Sequence, residues 1–150
     1  MGGGTLPNVG NSLKPYGLIY QLVSTEYVPV FAVISNTKAK DGVDFTYDGK
    51  DYKGGSFIIP AEFRTASVNT LLTTWAGKGV LLTYTTSPLS VDVSYKLTFK
   101  PKWALDLENG GIAEEYLKAA EISAAAYSFK LPSALAGCDD IFIMPHADPT

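Results

Sequence analysis

The feature that most limits what this sequence can fold into is the length of its apolar runs. Val28-Pro-Val-Phe-Ala-Val-Ile34 and Ile141-Phe-Ile-Met144 are strand-sized, and no run approaches the roughly 20 apolar residues that a membrane span needs. Membrane insertion is not expected. Val28 to Ser35 is nearly continuous in apolar and β-branched residues, as suits a central strand buried on both faces. Amphipathic, helix-spaced segments alternate with such runs. Leu13, Tyr16, Leu18, Ile19, Tyr20, Leu22 and Val23 form an apolar stripe behind a cap at Asn11 or Ser12. Pro60 to Ser67 leads from a short strand at Gly55–Pro60 into a helix at Val68–Trp75, closed by Gly77 or Gly79. A further strand is expected at Gly79 to Tyr84, with more exposed β-segments at Val91–Val93 and Tyr95–Phe99.

From Lys102 the same alternation resumes. Lys102 to Leu107 reads as a strand, and Asn109-Gly110-Gly111 as the turn into a helix. Along that helix Ile112, Tyr116, Leu117 and Ala120 share one face, and Glu114, Glu115, Lys118 and Glu121 the other. Strands at Tyr127–Leu131 and Asp140–Met144 follow. One local signal breaks the pattern. Asp44-Phe-Thr-Tyr-Asp48-Gly49-Lys-Asp-Tyr52 is a hairpin sequence, because Asp-Gly accepts the positive φ angles of a type I′ turn. The expectation is a single α/β domain over residues 1–150, a mostly parallel sheet flanked by helices with a β-hairpin insertion.

Composition excludes some functions. Of the 150 residues 18% are charged, below the roughly 25% of average soluble domains, and polarity comes from Thr, Ser, Tyr, Asn and Gly instead. This bias leans toward an exported protein. Twelve Lys and Arg against 15 Asp and Glu give a net charge of -3, so no cationic surplus exists to neutralise phosphates, and nucleic acid is not an expected partner. Cys138 is the sole cysteine, so no internal disulfide framework can form. The first residues hold neither a basic nor an apolar signal region, and the last strand runs straight into a polar loop. The expectation is a piece of a longer exported protein.

Asn11–Gly17, Lys38–Phe45, Gly54–Glu62 and Cys138–Thr150 resemble an uncharacterised domain of large exported bacterial surface proteins, and the likeness covers nearly the whole chain. From Trp103 onward the layout is also similar to the start of glutamine amidotransferase-like, flavodoxin-like folds, in which strands and a helix precede a nucleophile elbow. That second likeness is one of topology. The resemblance implies a flavodoxin-like α/β fold and a cell-surface or extracellular location. It also implies a continuation past Thr150 that carries a Cys-His pair.

Candidate site residues cluster in two places. In an α/β sheet, ligands sit beyond the carboxyl ends of strands, which is where His146 and Asp148 would lie, and a histidine beside a carboxylate can serve as base or metal ligand. Asp106, Asn109, Gly110 and Gly111 occupy the equivalent place at the end of the Lys102–Leu107 strand, where the free N–H groups of a helix start can receive an anion. Glu108 would repel phosphate and the G-x-G-x-x-G spacing is missing, so a capped βα turn explains the same residues. Asp41, Asp44, Asp48 and Asp51 crowd the hairpin as weak calcium candidates, although turn chemistry accounts for Asp48-Gly49. Tyr16, Tyr20, Tyr27, Tyr47, Tyr52 and Phe45 would suit a carbohydrate or partner surface, and suit half-buried positions equally well. Trp75 and Trp103 read as core anchors. A Cys138–His146 dyad is excluded if residues 139–145 are a strand, since eight extended residues span about 26 Å. Cys138 then reads as a small buried hydrophobe.

No complete set of nucleophile, base and oxyanion donor can be assembled from these residues. The expectation is a non-enzymatic structural or interaction domain, self-associating or pairing with the rest of a longer chain, and no cofactor is expected. The alternative is the leading part of an amidotransferase-like hydrolase whose nucleophile lies beyond residue 150, with Asp106, Asn109 and His146 lining its pocket.

Overall fold

The computed structural model describes residues 10–145. In chain order it contains α1 (Lys14–Ser24), β1 (Val30–Val33), β2 (Val43–Tyr47), β3 (Lys50–Lys53), β4 (Ser56–Ile58), α2 (Ala66–Gly77), β5 (Tyr95–Leu97), β6 (Trp103–Asp106), α3 (Gly111–Ala119), β7 (Tyr127–Lys130) and β8 (Ile141–Ile143), with short 3-10 turns at Ala61–Phe63, Ala124–Ala126 and Pro132–Ala134. These residues form two compact units. One comprises residues up to 20, then 78–80 and 100 onward; the other comprises Gln21–Gly77 and Leu81–Phe99.

The unit holding Gln21–Gly77 and Leu81–Phe99 is built on an antiparallel sheet ordered β4-β1-β5. Phe31 faces Ile58 on one side and Lys96 on the other, and the Lys96 ammonium lies 5.6 Å from the centre of the Phe31 ring. Val30, Ala32 and Val33 are buried, as are Val68, Leu72 and Trp75 of α2. Trp75 is fully enclosed, and its indole N–H donates to Gln21 Oε1 at 2.9 Å, so burial leaves no donor unpaired. Thr65 caps α2 by accepting the Val68 N–H. Thr70, Thr73 and Thr74 return their hydroxyls to carbonyls four residues back. The hairpin β2–β3 is a separate two-stranded sheet. Its turn residues Asp48 and Gly49 have φ of 49° and 71°, as the Asp-Gly pair predicts.

The other unit contains a parallel sheet ordered β7-β6-β8. Trp103 aligns with Tyr127 and Ile141, and Leu105 with Phe129 and Ile143, so these six residues share one face. Ala104 and Leu105 of the central strand are fully buried. Tyr20 stacks on Trp103, the ring centres 5.4 Å apart.

The fold corrects the expected class. Among the described residues only β6, β7 and β8 are parallel, and the remaining strands form small antiparallel sheets, so this is a mixed α/β chain and not a parallel-dominated, flavodoxin-like one. The cause is the connection after β1. A parallel neighbour needs a crossover of a dozen or more residues, usually a helix. Here the chain goes through a hairpin instead, and β4 returns beside β1 in the opposite direction. Residues 79–84 and 91–93 are not strands; Leu81 is 93% exposed. On α3 the buried residues are Ala113 and, just past its end, Ala120, while Ile112 and Tyr116 face outward. Small residues bring the helix close to the sheet, and the bulky pair expected in the core is left outside.

Candidate functional site

Asp106 ends β6 and is buried. Its Oδ2 accepts the Asn109 backbone N–H at 2.8 Å and the Asn109 side-chain amide at 3.3 Å, while its own carbonyl accepts the Gly110 N–H at 2.7 Å. The carboxylate is thus turned into its own loop. A Cβ on Gly110 would collide with the Asp106 carbonyl oxygen and with Leu105 Cβ, so the turn requires a residue without one. Gly111 opens α3 with open space around it. The structure therefore brings Asp106, Asn109, Gly110 and Gly111 together in a strand-to-helix turn that the Asp106 side chain closes, while the N-cap position of α3, Gly110, makes no side-chain cap bond. His146 and Asp148 lie outside the described residues.

The hairpin carboxylates do not converge on a metal. The Asp44 side chain is completely enclosed and accepts from Ser35 N at 2.8 Å, Gly55 N at 2.9 Å and Lys38 Nζ at 2.8 Å. The Lys38 ammonium, then the two amides, hold its pKa down at about 2. Its oxygens are committed to joining three separate stretches of chain. Asp51 accepts the Thr46 hydroxyl at 2.8 Å. Asp41 and Asp48 occupy turn positions with φ of 62° and 49°. Among the described residues no three acidic, histidine or cysteine side chains are grouped to hold a metal ion.

Two clusters were not legible as sites in the sequence. Asp139, almost fully enclosed, receives Lys130 Nζ at 2.6 and 2.8 Å and the Ala136 N–H at 2.8 Å. Lys130 foremost, with that amide, lowers the pKa of Asp139. Beside it Lys102 Nζ lies 3.4 Å from Cys138 Sγ and 3.7 Å from Asp139; the thiol contact is the main cause of a raised lysine pKa. Cys138 is exposed, contrary to the buried role expected of it, because its loop runs over the surface before β8 begins. The adjacent Asp139-Asp140 pair before an apolar run was the available signal: Asp140 accepts the Lys102 N–H at 2.7 Å and ties that loop to the start of β6.

The second cluster surrounds Tyr47. Its phenol oxygen accepts the N–H groups of Thr86 at 2.9 Å and Ser87 at 3.2 Å and lies 3.2 Å from the Ser87 hydroxyl. Led by the Ser87 hydroxyl, these bonds bring the phenol down from its ordinary value to a pKa of about 8. No local pattern announces it, since its partners are about forty positions away.

Among the described residues β8 pairs only with β6, and Ile141, Phe142, Ile143 and Met144 carry no charge. Ile141 and Met144 are exposed. Among the described residues β5 likewise has one neighbour, and all three of its own residues are exposed. No helix among the described residues is long and apolar enough to cross a membrane. The chain matches no protein-family model, no curated protein and no solved structure.

Proposed function

We propose that this chain is a structural or interaction domain of an exported bacterial surface protein and that it works by strand pairing with a second copy of itself. The open edge of β8 carries this reading. Edge strands in soluble proteins are normally blunted by lysine, proline, a bulge or a covering element. Ile141-Phe142-Ile143 has no charge, and among the described residues its one neighbour is β6. Two such edges can pair antiparallel about a two-fold axis, since the same short apolar strand is then self-complementary. The surface location rests on the low charged fraction and the Thr, Tyr and Gly richness of the chain. Sedimentation velocity over a wide concentration range tests the assembly. Wild type is expected to self-associate and Phe142→Lys to stay monomeric; a wild type that is monomeric throughout overturns the reading.

A second reading has one observation in its favour. The Asp106–Gly111 loop follows the carboxyl end of the central strand in the parallel sheet, the usual ligand position in such sheets. In that reading the chain is the leading part of a hydrolase whose nucleophile lies beyond residue 150. Activity of the longer protein should then disappear in His146→Ala, and equal turnover by wild type and variant would sink it.

A further inference from the structure

A cleft of about 470 Å³ opens in the unit built on β1, lined by Val33 to Thr37, by Asp44 and Phe45, and by Ser90 to Ser94. That volume is within the roughly 300–1,000 Å³ of small-molecule sites. We infer that this cleft binds a neutral pyranose unit of a glycan. The inference stands apart from the strand pairing proposed above, which uses β8.

The walls are fixed before any ligand arrives. Ser94 Oγ accepts the Ile34 N–H at 2.9 Å and donates to the Ile34 carbonyl at 2.8 Å, which clamps the two sides of the cleft to each other. Asp44 pins Ser35 from below through its backbone amide. Phe45 stacks on Tyr52 with ring centres 4.8 Å apart and planes 6° from parallel, a rigid aromatic wall. Pre-ordering of this kind lowers the entropy lost on binding.

The groups left over decide the ligand. Asn36, Ser90 and Asp92 line the cleft and have no hydrogen-bond partner among the described residues. They offer amide, hydroxyl and carboxylate groups, a set that matches vicinal sugar hydroxyls, with the carboxylate accepting from two of them. Ile34, Val93 and Phe45 supply apolar surface for the C–H face of the ring. No lysine or arginine lines the cleft, and the Lys38 ammonium is committed to Asp44. An anionic ligand is therefore disfavoured, which separates this site from a phosphate or uronate pocket.

Titration of the whole chain with cellotetraose, followed by amide chemical shifts and calorimetry, tests the assignment, with tetragalacturonate as the anionic counterpart. Cellotetraose at millimolar concentration is expected to shift amides of residues 33–37 and 90–94. Asp92→Ala is expected to weaken it about tenfold, the size of one lost charge-assisted hydrogen bond. Asn36→Ala should act in the same direction, and tetragalacturonate should bind more weakly than the neutral sugar. Both substituted residues are exposed, so circular dichroism should report an unchanged fold. Absence of shifts in these segments, shifts confined to other residues, stronger binding of the uronate, or an unaltered affinity in Asp92→Ala would each overturn the proposal.

Discussion

The phenol oxygen of Tyr47 accepts the backbone N–H of Thr86 at 2.9 Å, joining the β2–β3 hairpin to the irregular segment that precedes β5. Together with Ser87 the contact favours the ionised phenol, whose pKa is brought to about 8 from its ordinary 10. A lowered pKa in the folded chain means that the extra stability is fully present above the unfolded value and is lost as pH falls through the folded one. The stability difference between wild type and Tyr47→Phe should therefore widen as pH rises from 8 toward 10. Thermal melts of both proteins across that range, with phenolate absorbance to locate the pKa, provide the check. A constant difference across the range would show that ionisation contributes nothing.

Asp44 gives the opposite end of the pH scale. Lys38 and two backbone amides hold its pKa at about 2, so its contribution is complete above the unfolded carboxylate value and is lost as pH falls from about 4 through about 2. Lys38→Met removes the largest cause while the amides of Ser35 and Gly55 remain. The Asp44 carboxyl should then titrate closer to the ordinary value, and acid unfolding should begin at higher pH than in wild type. Carboxyl carbon shifts followed through the acid range measure the first effect, and circular dichroism the second.

The same residue shows what the sequence conceals. Asp48-Gly49 announced its hairpin because a two-residue turn is decided by its own backbone conformation. Asp44, only four positions earlier, looked like a metal ligand, since nothing in its spacing tells that Lys38, Ser35 and Gly55 converge on it. Strand existence and strand partner differ in the same way. Val30–Val33 is apolar enough to be recognised as buried, but apolarity is identical in parallel and antiparallel neighbours, and the hairpin after β1 decided the direction. On α3 the helical period was legible and the packed face was not. Ala113 and Ala120 permit close approach to the sheet, and that advantage belongs to the packing partner as much as to the helix. Asp106 and Asn109 were placed correctly in a turn after a strand, where local chemistry again sufficed.

Gly110 and Gly111 are neighbours in sequence and opposites in tolerance. A methyl group at Gly110 would strike the Asp106 carbonyl and Leu105 Cβ, whereas Gly111 has nothing close by. Gly110→Ala should destabilise by about 1–3 kcal/mol through overpacking. Gly111→Ala, at the first residue of α3, should stabilise by about 0.4–1 kcal/mol because the unfolded chain loses freedom. Urea titrations of the two variants give both signs in one experiment; equal effects would contradict the close approach of helix and strand.

Trp75 is the largest of the fully buried side chains, and its one polar atom is satisfied by Gln21 at 2.9 Å. The two residues separate packing from hydrogen bonding. Trp75→Ala removes the indole and leaves a cavity, for which the expected loss is about 3–5 kcal/mol. That is a large part of the roughly 5–15 kcal/mol by which a domain is stable. Gln21→Leu keeps the packing but leaves a buried N–H without its acceptor, and should cost about 1–3 kcal/mol. Indole fluorescence during urea unfolding reports on Gln21→Leu directly, and circular dichroism serves for Trp75→Ala. If Gln21→Leu proved as stable as wild type, the indole N–H would have another acceptor and the pairing seen across α1 and α2 would be dispensable.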